Sequence, residues 1–298
     1  MAAMASAPLP EAPPLVRIGE LSRRHGVSPD LLRAWERRYG LLAPERTPGG
    51  FRLYTSRDEA RVRAMRRGLA QGLSASAAAR SALSEPEPPA GPERALALST
   101  AGAELGEALE SFRDVDAQTV LDRLFAMFSL ATVLRDVVLP YLRDIGDRWE
   151  AGELSVAQEH FASGIIRGRL LGLARGWDTG VGPRALLACP PGEQHDLGLV
   201  CFGLALREQG WRITHLGPDT PVGNVRDVAA ELEPAVIVIC AELDEPMRAA
   251  IGEIEQLAGR FEVALAGRGA TAEQARRAGA RLLQDAPVAA AARMAEGR

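Results

Sequence analysis

The spacing of apolar residues changes character along the chain. Ile18 to Arg24 reads as a short amphipathic helix stopped by Gly26. Ser28-Pro29-Asp30 predicts a new helix, because serine is a good N-cap and proline suits the first turn, and this helix runs to about Tyr39 with Gly40 at its end. Two short helices across a tight turn form a helix-turn-helix. Thr47 to Tyr54 has the turn and alternation of a small hairpin or wing, and further helices are expected from about Ser56 and Ser74.

Ser84 to Pro92 holds four prolines in nine residues and predicts a linker. From Glu93 to about Trp177 the spacing is helical again, in four groups: Leu96 to Leu109, Val120 to Phe128, Val133 to Ile145 and Phe161 to Leu170. Four such helices make a small bundle. After Gly180-Val181-Gly182-Pro183 the runs Ala185–Cys189, Ile213–Leu216, Val236–Cys240 and Val263–Ala266 alternate with helix-like segments, the signature of a parallel sheet. The expected fold is multidomain, α and α/β. It comprises a disordered leader (1–14), a winged helix-turn-helix (15–83), a linker (84–92), a four-helix bundle (93–177) and a Rossmann-like, flavodoxin-like domain (184–298). Ligands of such sheets bind beyond the carboxyl ends of the strands, so the loop after the first strand is the place to look.

Composition adds exclusions. With 47% apolar residues over 298 positions, the chain can bury cores and is neither fibrous nor disordered. No apolar run reaches the roughly 20 residues that span a bilayer, and the N-terminus has no charge ahead of an apolar stretch, so neither a membrane nor a secretory role is expected. Cys189, Cys201 and Cys240 are odd in number and far apart, which suggests no disulfide framework or Cys-x-x-Cys site and fits a reducing cytoplasm. The net charge of -4 hides an asymmetry: Leu15 to Leu83 carries 14 Arg against 6 acidic residues, whereas residues 84–298 carry 21 Arg against 32. A basic module joined to an acidic remainder is the footprint of a nucleic-acid binder with a separate sensing or assembly region.

Arg33, Arg37 and Arg38 fall on the second helix, and Arg46, Arg52 and Tyr54 flank the wing. Arginine grips guanine edges bidentately or pairs with phosphate, so this density points to double-stranded DNA. Trp35 and Tyr39 are expected in the core, and His25 is expected to be structural. The segment Leu32-Arg33-Ala34-Trp35-Glu36-Arg37-Arg38-Tyr39-Gly40-Leu41, followed by Pro44, Arg46-Thr47-Pro48-Gly49-Gly50 and Arg52-Leu53-Tyr54, resembles the winged helix-turn-helix of MerR-family regulators. In better-known members the wing leads into a long dimerising helix. Here the proline-rich stretch interrupts the chain, so assembly is expected from the C-terminal part.

Pro190 to Gly198 (PPGEQHDLG) follows the first strand of the α/β domain. A histidine here, with a carboxylate two residues earlier, is arranged as a metal ligand with a supporting partner. One imidazole cannot hold a bare ion, but it can supply an axial bond to a metal already held by a macrocycle. An unrelated α/β loop with a chance histidine is the plainer alternative. His215, at the end of the second strand, is expected to be structural.

This loop resembles the cobalamin-binding motif Asp/Glu-x-His-x-x-Gly. The resemblance implies that His195 is the lower ligand of cobalt, that Glu193 tunes it, and that the nucleotide tail passes Gly198. A second element appears loosely as Cys240-Ala241-Glu242-Leu243 and a final one as Gly267-Arg268-Gly269, which assigns Cys240, Leu243, Gly267 and Gly269 to the tail. Trp149 followed after nine intervening residues by Glu159-His160 matches the Trp-x9-Glu-His motif of cobalamin-dependent, light-sensing MerR-family regulators of the CarH/LitR type. By that resemblance Trp149, Glu159 and His160 cover the upper face of adenosylcobalamin. Some members have a histidine directly after the tryptophan that takes the cobalt after illumination; here Glu150 stands there.

The resemblance implies a DNA-binding repressor, a dimer or tetramer whose assembly and DNA affinity depend on the cofactor and light. Two other readings are a cobalamin-level sensor without light response and a corrinoid methyl carrier, the latter disfavoured by the basic N-terminal module. No catalytic dyad or nucleophile constellation is visible, so no enzymatic activity is expected.

Overall fold

The computed structural model describes residues 16–46, 51–70, 72–84 and 91–296. The leader, the wing tip at 47–50 and most of the proline-rich stretch lie outside these residues. The chain divides into two compact units, 1–101 with 122–129, and 102–121 with 130–298.

In the first unit α1 (Ile18–His25) ends on Gly26, whose φ of 58° is the left-handed conformation that favours glycine. The Ser28 hydroxyl accepts the Leu31 N–H at 3.2 Å and starts α2 (Pro29–Tyr39), which stops at Gly40. Strands β1 (Val16–Arg17), β2 (Glu45–Arg46) and β3 (Arg52–Tyr54) form an antiparallel sheet in the order β1-β3-β2. Helices α3 (Ser56–Ala70) and α4 (Ala75–Ser84) follow. Leu21, Leu32, Trp35, Leu41, Tyr54 and Met65 share the core. The buried Asp58 carboxylate accepts the N–H groups of Ala43 (2.7 Å) and Thr55 (2.9 Å), fastening the turn after α2 to the start of α3.

Helices α5 (Gly91–Glu110) and α6 (Asp114–Met127) contribute residues to both units. In the second unit α7 (Leu130–Val133) passes through a π-helical turn, Leu134–Val138, into α8 (Leu139–Glu150). Pro140 lacks the N–H that an α-helix would aim at the Asp136 carbonyl, and the widened turn lies just before it. A capping box of Ser155 and Gln158 begins α9 (Val156–Leu173). Within this unit Arg148 of α8 bonds both carboxylate oxygens of Glu110 in α5, at 2.8 and 3.0 Å. Gln158 of α9 donates to the Glu110 carbonyl at 3.0 Å.

The α/β part runs β4 (Arg184–Ala188), α10 (Leu197–Glu208), β5 (Arg212–Gly217), α11 (Val222–Leu232), β6 (Val236–Cys240), α12 (Asp244–Ala258), β7 (Val263–Ala266), α13 (Ala272–Ala278), β8 (Arg281–Leu282) and α14 (Pro287–Glu296). All five strands are parallel, in the order β5-β4-β6-β7-β8, a flavodoxin-like arrangement whose direction of winding reverses between β4 and β6. Every residue of β6 is buried, which is why it reads as an unbroken apolar run. Leu186, Ile237, Ile239, Ile254 and Leu265 lie at the centre of the core, each worth about 1.5–3 kcal/mol by its removal from water. Four strands were expected; β8 is the fifth, a two-residue edge piece.

Candidate cofactor site and nucleic-acid interface

The loop leaving β4 is held from two neighbouring strands. Asp219, beyond β5, adopts φ 52° and accepts the Gly192 N–H on its carboxylate at 2.8 Å, while its own N–H donates to the Glu193 carbonyl at 2.9 Å. The Glu193 side chain is fully buried. One of its oxygens meets both the N–H and the ring Nδ1 of His195 at 2.7 Å, and the other accepts the N–H groups of Glu242 (2.7 Å) and Leu243 (3.0 Å) beyond β6. Burial works to raise the Glu193 carboxyl, but the hydrogen bonds from Leu243 and His195 prevail and hold it below its ordinary value. The carboxylate only accepts, so Nδ1 carries a proton, and in the neutral ring Nε2 is then the atom with the lone pair. The ring is 60% exposed. A single imidazole is thus oriented at the β4/β6 switch point with its ligand atom unengaged among the described residues.

The glycine pair beyond β7 serves a close approach of two loops. A Cβ on Gly267, which has φ 88°, would stand 2.1 Å from the Ala241 carbonyl oxygen, and one on Gly269 would stand 2.1 Å from that of Leu243. Gly198 differs: its Cβ would meet only Glu242 Oε1, at 3.8 Å, an ordinary van der Waals distance. Cys240, assigned to the tail by motif, is instead the buried last residue of β6, its thiol pushed well up by burial. What that segment supplies to the histidine loop is the backbone N–H groups of Glu242 and Leu243. Sequence reasoning marked this segment by its motif but missed its support of the histidine loop; it also missed Asp219, for which the turn-prone Gly217-Pro218-Asp219-Thr220 was the signal.

Trp149 lies in the last turn of α8, 44% exposed, and Glu150 ends that helix. Glu159 accepts the Ser163 hydroxyl at 2.6 Å and stands 3.6 Å from the exposed ring of His160. Among the described residues no hydrogen bond or ion pair joins these three to His195. Their helices nevertheless reach the carboxyl edge of the sheet. Asp147 of α8 approaches Arg268 at 4.0 Å, Arg268 in turn donates to Glu242 at 3.0 Å, and Arg167 of α9 is bound to Asp196. His215 packs edge-on against Trp177 with ring centroids 5.8 Å apart, mostly buried, in keeping with a structural role. No three His, Cys, Asp or Glu residues converge as a metal site among the described residues. The donor set therefore suits a metal that brings its own equatorial ligands.

In the first unit Arg33, Arg37 and Arg38 stand exposed on α2, with Arg33 also bonded to Asp30 at 2.9 Å. Arg52 donates to Glu36 at 3.1 Å. Arg46 pairs with Arg52 across β2 and β3, and its side chain lies outside the described residues. Tyr54, grouped with the wing arginines by sequence, is a core residue. It is fully buried, its hydroxyl donates to Glu36 at 3.1 Å, and burial followed by the Glu36 charge pushes its phenol up to about 12. It packs in the core beside Glu36, which leaves no surface for DNA. Phe51, 60% exposed with the Arg17 guanidinium 5.2 Å from its ring centroid, stands on the wing instead. His25 and Trp35 are buried.

These features define a class: a winged helix-turn-helix regulator joined to a B12-binding domain. The family model of MerR HTH family regulatory proteins matches residues 16–84, and that of the B12 binding domain matches residues 102–171. The chain is 35% identical over 234 residues to the HTH-type transcriptional repressor CarH of Myxococcus xanthus, covering 73% of this chain and 76% of CarH. It is 35% identical over 264 residues to CarA of the same organism, covering 86% and 87%. The chain belongs to the family of these MerR-type repressors, and is a DNA-binding regulator that carries a B12 binding domain. A fold likeness extends to the monomethylamine corrinoid protein of Methanosarcina barkeri, with a TM-score of 0.54 and 18% identity over 65% of this chain and 96% of that one. No helix among the described residues is long and apolar enough to cross a membrane.

Proposed function

We propose that the chain is a light-responsive repressor that binds adenosylcobalamin in the dark. In that state it holds double-stranded operator DNA as a homo-oligomer, a dimer or tetramer, and it lets go when light cleaves the carbon–cobalt bond. The observation that carries this reading is the buried Glu193 carboxylate orienting the open imidazole of His195 at the switch point of the sheet. In this reading His195 Nε2 would hold the cobalt of the cofactor, and Glu193 would fix the tautomer of that imidazole. Gly198, Leu243 and the Gly267–Gly269 loop border the nucleotide tail. Trp149, Glu159 and His160 cover the upper face. The exposed apolar Leu243 and Trp149 fit a large, partly apolar ligand. The cofactor supplies a bond that light can break; the chain binds it, orients it and shields it from water.

On the DNA side Arg33, Arg37 and Arg38 address the major groove from α2, and Arg46 and Arg52 address the backbone beside the wing. Tyr54 supports them from the core. Several modules in one assembly gain affinity through effective concentration, so loss of the assembly alone releases DNA.

The test is the absorption spectrum of protein mixed with adenosylcobalamin and desalted in the dark, followed under green light together with molecular size and operator binding. Retained cofactor, a light-driven spectral change and a change in size support the proposal. A second reading, sensing of cofactor level without light, is favoured by Glu150 in place of a histidine; retained cofactor with size and DNA affinity unmoved by light replaces the first reading with this one. Absence of retained cofactor overturns both.

A further inference from the structure

The residue after His195 is placed unusually. Asp196 occupies the N-cap of α10, where an aspartate ordinarily turns its carboxylate back onto the free N–H groups of the first helical turn. Here it makes no such bond. Its carboxylate is turned away, fully buried, and both oxygens are gripped by the guanidinium of Arg167, with Nη2 to Oδ2 at 2.9 Å. The His215 imidazole, held below its ordinary value by burial, stands with its buried Nε2 3.6 Å from Asp196, beyond hydrogen-bond reach. A buried carboxylate that gives up its cap for one guanidinium depends on that partner.

Arg167 lies on α9, one turn beyond Ser163 and two beyond Glu159, so Glu159, Ser163 and Arg167 share one face of that helix. The same rigid helix carries two of the residues assigned to the upper face of the cofactor, and binds the residue directly after the one assigned to the lower face.

We propose that Arg167 and Asp196 form a clasp that seats α9 on the histidine loop and sets the position of His195; both are positioning residues of the cofactor site. The inference rests on the corrinoid reading above. Glu193 fixes which way the imidazole points, and the clasp fixes where the loop stands beneath the cap. Removing a support of this kind costs roughly tenfold to a hundredfold in retention of a metal group.

The test uses the full chain labelled with 15N-histidine, as Arg167→Met, Arg167→Lys and the double variant Arg167→Met/Asp196→Asn. The double variant removes the buried charge together with its partner, so a stranded carboxylate cannot be the reason for its behaviour. Two quantities are read: the nitrogen splitting in the electron paramagnetic resonance of bound cob(II)alamin, which identifies the lower ligand, and hydrogen exchange of amides 192–196 without cofactor. The expected result is tenfold or greater loss of retention, loss of the 15N-histidine splitting and faster loop exchange in Arg167→Met and in the double variant, with partial recovery in Arg167→Lys. Retention and splitting equal to wild type in both Met variants overturn the clasp. If the wild-type chain itself retains no cobalamin, the corrinoid reading falls and loop exchange decides: faster exchange in Arg167→Met and in the double variant upholds the clasp, and exchange equal to wild type in the double variant overturns it.

Discussion

The ring Nδ1 of His195 stands 2.7 Å from the buried carboxylate of Glu193, whose other oxygen is bound by two backbone N–H groups from the neighbouring loop. The same side chain therefore orients the imidazole and ties the loops beyond β4 and β6 across the switch point. Glu193→Gln keeps the shape but turns an amide NH2 either toward the N–H groups of Glu242 and Leu243 or toward His195. Donor would face donor in one direction or the other. The expected outcome is a tenfold to hundredfold loss of cobalamin retention, with thermal unfolding lowered by a few degrees, measured by equilibrium dialysis and calorimetry.

The arginines of α2 are expected to act on DNA without acting on the fold, since Arg37 and Arg38 are exposed. Arg37→Ala and Arg38→Ala should each weaken operator binding. The slope of log affinity against log salt should become shallower by about 1 for every phosphate that is no longer neutralised. Tyr54→Phe should do the reverse. It deletes the hydrogen bond to Glu36 and costs about 1 kcal/mol of stability, while the salt slope stays as in wild type. Fluorescence anisotropy over a salt series, with unfolding curves beside it, separates the two effects.

His25 supplies a pH dependence to the first unit. Burial, then the charges of Arg63, Arg66 and Arg24, push its imidazole down from 6.5 to about 4. The unfolded chain takes up the proton near 6.5, and the folded chain resists until about 4. The stabilisation is thus complete above about 6.5 and is lost progressively as pH falls toward 4, a change on the order of 3 kcal/mol over the window. His25→Met should flatten that part of the profile. Hydrogen exchange of amides in 16–84 between pH 4 and 7 reads it directly.

Where a residue type alone decides the local structure, the sequence was legible. Ser28-Pro29 and Gly40 bracket α2 as expected, and the apolar runs of β6 and β7 coincide with the strands because all or most of each run is buried. β1 and β8, two residues each, are too short to carry a period. Tyr54 was misread because in a three-residue strand the alternation does not say which face is the core. Within the candidate site, Glu193 and His195 were legible from side-chain chemistry and spacing. The N–H groups of Glu242 and Leu243 were not, because backbone donors leave no mark in the sequence. The pairing of Arg167 with Asp196 joins residues 29 apart on different layers, which periodicity does not connect.

The three glycines of the motif divide into two kinds. Gly267→Ala and Gly269→Ala would each drive a methyl to 2.1 Å from a backbone carbonyl that other bonds hold in place, so the β6 and β7 loops must part. Each should destabilise the α/β domain by more than about 2 kcal/mol, with or without cofactor. Gly198→Ala meets nothing closer than 3.8 Å and should leave the unfolding temperature of the cofactor-free protein unchanged. If the nucleotide tail passes this point, the added methyl occupies its path, and cobalamin retention should drop at least about tenfold while cobinamide, which lacks the tail, binds as before. Equal losses for cobalamin and cobinamide would move the tail away from Gly198; no loss for either would leave that glycine with no part in the site.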